Sequence, residues 1–234
     1  LRLIRRPEWV ETASFGFGTH EQMAGAMTAI AREGLVSECF AMDPVLTAQR
    51  MKRAGLAQDL KAVKGVITSA RGLAAGLKEA AKVALAGRDF LEHAPYSMHV
   101  GTEGRTQASV TDALAEVRSI VAAHGGSEVE NTVPKVLRGM PFVPMSSAIG
   151  PSGERWLPVH ALVPLSDAAA AWSAVRALFD SRRADLERLG VQIGVLTAIV
   201  GSNAFVLEPV FYWPAPRTLY YQRVLDEATR AKFE

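Results

Sequence analysis

The sequence predicts an α+β fold built on an antiparallel sheet, and three observations carry that expectation. A strand pattern, an Ala-rich amphipathic helix pattern and a second strand pattern recur three times along the chain. The helix patterns open near residues suited to capping and close at glycine. Each unit holds a single helix, so the helices gather on one face of the sheet. Repeated strand–helix–strand units of this kind make a ferredoxin-like sandwich.

The first unit starts at Glu11–Phe17 and returns at Val36–Met42. Thr19 with Gln22 three residues on is a capping-box pattern. Met23, Met27 and Ile30 follow at i, i+4 and i+7, and Gly34 closes the helix. The second unit starts at Tyr96–Val100. Its helix follows Thr106 with Val110, Leu114, Val117 and Val121 on one face, and Gly125-Gly126 ends it before Ser127–Glu130. The third starts within Trp156–Pro164 and is capped near Ser166 or Asp167. Its helix faces inward with Trp172, Val175 and Phe179, stops at Gly190, and returns at Val191–Val200. A last strand, Ala204–Tyr212, pairs with that return strand across Gly201-Ser202-Asn203.

Residues 43–95 read as a helical insert: Asp43 caps, Pro44 takes the first helical position, and Lys61–Ala86 forms a long helix ending at Gly87. The Pro-rich stretch Thr132–Pro151 reads as a long ordered loop whose Val136, Leu137, Met140, Phe142 and Met145 need cover. In Gly150–His160, a Gly-Pro-Ser-Gly turn leads into a strand interrupted by Pro158 and, further on, Pro164. Proline lacks the N–H that a central ladder requires, so this strand belongs at a sheet edge or is irregular.

Composition narrows the function. The 234 residues are 49% hydrophobic and 21% charged, with net charge +2 and no clustering of the basic residues, which excludes a nucleic-acid footprint. No apolar run reaches the length of a membrane span. The lone Cys39 leaves no disulfide framework and no thiolate metal site, and fits a reducing, cytoplasmic setting. The opening Leu1–Arg6 has no Met and begins inside a strand-like pattern, as expected of a piece of a longer protein. The chain has no dinucleotide fingerprint, P-loop, H-E-x-x-H or G-x-S-x-G elbow, and its five histidines show no ligand spacing.

Two constellations could carry chemistry. Arg155, Trp156 and His160 share one edge strand, and an imidazole there can act as base, acid or donor. Glu208 interrupts the apolar strand ending in Tyr212-Trp213-Pro214, and a carboxylate in that setting requires a partner, for which Arg155 is a candidate. Tyr212 offers a phenol beside a large apolar surface. The plainer alternatives are an aromatic plug at the sheet end, and histidines (His99 above all) that hydrogen-bond locally in the core.

The segments GPSGERWLPVHALVP and FVLEPVFYWP, with LRLIRRPE, EGLVSECFAMDP and SEVENTVPKVLRGMPF, resemble the C-terminal cap portion of FAD-linked oxidases of the vanillyl-alcohol oxidase and p-cresol methylhydroxylase type. The resemblance covers nearly the whole chain, read as one cap domain over residues 1–234. It implies a cap whose sheet lies over a flavin held by an N-terminal FAD-binding domain absent from this chain, and a small-molecule alcohol, hydroxy acid or para-substituted phenol as substrate. It further implies His160 as base or hydrogen-bond partner, Arg155 as anion clamp, and Tyr212 with Glu208 as orienting groups. Homo-oligomers are possible on this reading. A non-catalytic ligand-sensing or interaction module is the alternative for the same fold.

Overall fold

The expected units are present in the computed structural model, which describes residues 5–53, 95–139, 154–214 and 226–230. In chain order the elements are β1 (Trp9–Phe17), α1 (His20–Glu33), β2 (Glu38–Met42), α2 (Pro44–Arg53), β3 (Tyr96–Gly104), α3 (Gln107–Ala123), β4 (Ser127–Val129) and α4 (Thr132–Gly139). They continue as β5 (Glu154–Pro158), β6 (Ala161–Pro164), a 3-10 turn over Leu165–Asp167, α5 (Ala168–Ser181), α6 (Arg183–Arg188), β7 (Gln192–Val200), β8 (Ala204–Pro214) and α7 (Glu227–Arg230).

The local chemistry sets the boundaries. Thr19 accepts a hydrogen bond from the Gln22 backbone, the Gln22 side chain accepts one from the Thr19 N–H, and α1 therefore starts at His20. Thr106 accepts from the Ser109 N–H in the same way at the head of α3. Gly201 takes φ 62° in the turn between β7 and β8, a left-handed conformation that favours glycine.

All strands join one antiparallel sheet in the order β4-β1-β3-β2-β7-β8-β5, with β6 pairing β8 alongside β5. The first two units make the β4-β1-β3-β2 half, and the third adds β7 to β2. On one face, Phe15, Phe17, Met98, Val100 and Phe205 are buried against Met23, Met27 and Ile30 of α1 and Leu114, Val117 and Val121 of α3. Trp172 of α5 extends this layer over Val195 and Leu207. Each fully buried side chain of this size contributes about 1.5–3 kcal/mol.

Three elements differ from the sequence expectation. The Thr132–Pro151 stretch opens with α4 rather than a loop, because Pro134 stands in the first helical turn, where a backbone N–H has no partner to lose. The third unit's helix breaks at Arg182 into α5 and α6. The helices are also not confined to one face: α2 and α4 pack on the other, where Leu46 joins Met42, Val210 and Tyr212. Asp43 caps α2 as expected, accepting from the Leu46 N–H at 2.7 Å, whereas the long helix read over Lys61–Ala86 lies outside the described residues. Among the described residues no helix is long and apolar enough to cross a membrane.

The α2 contact with β7 is backbone-close. A Cβ at Gly194 would stand 2.6 Å from the Leu46 nitrogen and 2.7 Å from its Cα. Gly194→Ala is therefore expected to cost about 1–3 kcal/mol by overpacking, read as a Tm lower by several degrees in thermal unfolding. An unchanged Tm would show that α2 does not lie against β7.

Candidate functional site

The edge beyond β8 brings together the residues of most chemical interest. β5 and β6 pair with β8 in one continuous register, so Val159 and His160 lie across from Pro209 and Glu208. The Val159 N–H donates to the Pro209 carbonyl at 2.9 Å, and the Leu165 N–H to that of Asn203 at 3.1 Å. The residues between these inward-facing positions, Pro158, His160, Leu162 and Pro164, thus turn their backbone groups outward. Both prolines stand where a missing N–H costs no ladder bond, and they blunt the open edge. Pro209 is different: its missing N–H would have faced Val159, and the regular ladder breaks there into β5 and β6.

At that break His160 Nε2 lies 2.9 Å from Glu208 Oε2. A carboxylate only accepts, so Nε2 carries a proton, and in the neutral ring Nδ1 keeps the lone pair. His160 is 60% exposed and Glu208 17%, so a half-buried carboxylate orients an accessible ring. Glu208 thus pairs with His160 across the break. Strand alternation sends Arg155 to the opposite face of the sheet, with Leu157, while Trp156, His160, Glu208 and Tyr212 share one face. Tyr212 is four residues from Glu208, about 13 Å along the strand. It is buried in the small cluster of Met42, Leu46 and Val210, with Trp156 packed against it. The structure therefore joins His160 to Glu208, and places Tyr212 and Arg155 apart from them.

Beside the pair runs an apolar row on the same face: Phe40, Ala198, Val206 and Leu162 follow one another across β2, β7, β8 and β6. Leu162 is 67% exposed. This row and the imidazole could lie against a planar ring. Among the described residues no group of three or more His, Cys, Asp or Glu could hold a metal ion. His160, Glu208 and the row fit the covering of a cofactor ring; its phosphates would have to be held by other groups.

Sequence reading missed the extent of a second polar group on this face. His99 is fully buried, with Nδ1 at 2.9 Å from Ser14 Oγ and Nε2 at 3.2 Å from Ser97 Oγ. Polar residues at every second position of β3, Ser97 and His99, with Ser14 across from His99, were the available signal. Burial pushes His99 down to about 3. At the sheet's other face, burial lowers His20 to about 4, with Glu21 opposing and Arg176 assisting; its ring stacks on Trp172 at 3.9 Å. Burial raises Asp43 to about 6 in spite of its backbone hydrogen bonds.

No family model matches the chain, and no curated protein matches it in sequence. Among solved structures, alkyldihydroxyacetonephosphate synthase in two crystal forms superposes on 89% and 90% of the chain, with TM-scores of 0.56 and 0.59 at 14% and 12% identity. The chain shares the fold of part of that synthase. It spans 36% and 37% of the synthase chains, little more than a third of their length. p-Cresol methylhydroxylase with substrate bound is also similar, with a TM-score of 0.45 at 9% identity over 89% of this chain and 39% of its own.

The titrations give opposite signs. His20 and His99 hold fewer protons folded than unfolded below their ordinary value of 6.5, so they withdraw stability as pH falls from about 6.5 toward 4. Asp43 is raised from 3.8, so its contribution is complete below about 3.8 and is lost as pH rises through about 6. Asp43→Asn, which keeps a side-chain acceptor for the Leu46 N–H, is expected to remove the loss between pH 4 and 6 in urea unfolding midpoints. A variant profile parallel to that of the native protein would contradict this assignment.

Proposed function

We propose that this chain is the ferredoxin-like, substrate-facing cap of an FAD-dependent oxidoreductase that oxidises an alcohol, hydroxy acid or para-substituted phenol. The observation that carries the reading is the His160–Glu208 pair on an accessible sheet face, beside an apolar row, in a chain that shares the fold of part of this synthase. The segment resemblance to FAD-linked oxidases supports the same reading from sequence. A flavin held by a domain outside this chain supplies the hydride acceptor.

This chain's own residues supply the rest. A substrate hydroxyl placed at His160 Nδ1 gives its proton to that lone pair as the carbon–hydrogen pair leaves as hydride, and a carbonyl product remains. Glu208 fixes the ring and stabilises the imidazolium that forms. The row Phe40, Ala198, Val206 and Leu162 excludes water from the reacting carbon. Arg155 and Tyr212 serve this reading as supports of the edge, since neither stands beside the pair.

The full-length protein is expected to purify with bound flavin, or to take it up, and to bleach its absorbance on mixing with one class from a panel of alcohols, 2-hydroxy acids and phenols. His160→Ala should lower the bleaching rate about a hundredfold, the usual scale for a lost general base. A full-length protein that neither carries nor takes up flavin would end this reading and favour the ligand-sensing module.

A further inference from the structure

Ala198 stands among larger side chains on the sheet face that carries His160. Two residues away along β7, on the same face, are Leu196 and Val200, and directly across lie Phe40 of β2 and Val206 of β8. All four are larger than alanine, so the surface dips at the Ala198 methyl. The Phe40 ring stays beside its other strand neighbour, His99 of β3, at 5.1 Å between ring centres, and so forms a wall of the dip. Leu196 closes one end, where it packs against the cluster of Met42, Leu46 and Val210. The other end is open: Val200 is 49% exposed, and Leu162, next to Val206 on β6, is 67% exposed. The hollow therefore has apolar walls and an open mouth.

It also lies within reach of the polar pair. Glu208 is the diagonal neighbour of Ala198 between β8 and β7, at about 7–8 Å. His160 extends from β6 to that carboxylate. Ala198 and His160 are separated by two strand spacings and two residues, about 12 Å between Cα atoms. A substrate whose hydroxyl meets His160 reaches the hollow only with a substituted ring or a tail of several carbons. A compact substrate stops short of it.

We propose that Ala198 is a specificity-determining residue: the hollow over its methyl receives the apolar end of the substrate, and its size favours a substrate with such an end over a compact one. Ala198 has this role only if the oxidoreductase reading of the His160 face holds.

Rapid-mixing flavin reduction in the full-length protein tests it, with linear primary alcohols, 2-hydroxy acids and para-alkylphenols lengthened one methylene at a time. In the native protein the second-order rate constant for reduction should climb about fourfold per added methylene, the worth of one buried CH2, until the hollow is full. Ala198→Leu should abolish the climb, lowering the constant for the longest reactive members about tenfold or more through weaker binding. The shortest reactive members, the flavin content and the Tm should be unchanged. Ala198→Val should give the same pattern on a smaller scale, and it carries the test if the leucine variant does not fold. Reduction with no climb along the series, a climb that the folded variants leave intact, or an equal loss for short and long members would overturn the role of Ala198 and leave the oxidoreductase reading in place. A full-length protein without flavin, or with a flavin that none of these compounds reduces, would overturn both.

Discussion

Strand alternation across one continuous antiparallel sheet divides this chain's side chains between two unlike faces, and the rest of the structure follows from that division. One face is apolar from β1 to β8 and is closed by α1, α3 and α5. The other carries Thr12, Ser14, Ser97, His99 and Glu208, and no large apolar layer could cover it without stranding those groups. Among the described residues it is covered instead by two short helices, one capped by the buried Asp43 carboxyl and one paired through Arg138. The faces therefore differ in composition: the first carries the main apolar core, and the second carries the polar side chains.

That division also separates two histidines that look alike along the chain. His99 and His160 both sit among apolar residues at the same stage of successive units. His99 lies in a central strand, takes a serine on each nitrogen, and stays uncharged near neutrality because burial lowers it to about 3. His160 lies at an edge where Pro209 has interrupted the ladder, keeps one nitrogen open, and has a carboxylate behind the other. The same side chain is a core tie in one place and a candidate base in the other, because sheet position decides its solvation.

How much of this was legible in the sequence follows from the range of each interaction. Thr19 with Gln22, Thr106, the hairpin at Gly201 and the edge placement signalled by Pro158 and Pro164 are local, and all were readable. The His160–Glu208 pair was half readable: the need of Glu208 for a partner was evident, but the partner depended on a register 48 residues long in sequence separation. Arg155 was the tempting candidate, and only the parity of the strand sends it to the other face. α4 was lost behind its proline, since composition does not tell a first-turn proline from a loop proline.

The account turns on Glu208 and Arg155 acting from opposite faces, so rapid-mixing flavin reduction in the full-length protein tests it most directly. Glu208→Gln, which removes the charge behind His160, should slow reduction about tenfold or more, whereas Arg155→Met should leave the rate within about twofold of the native protein. Slower reduction in Arg155→Met than in Glu208→Gln would contradict the assignment of the His160 face as the functional one.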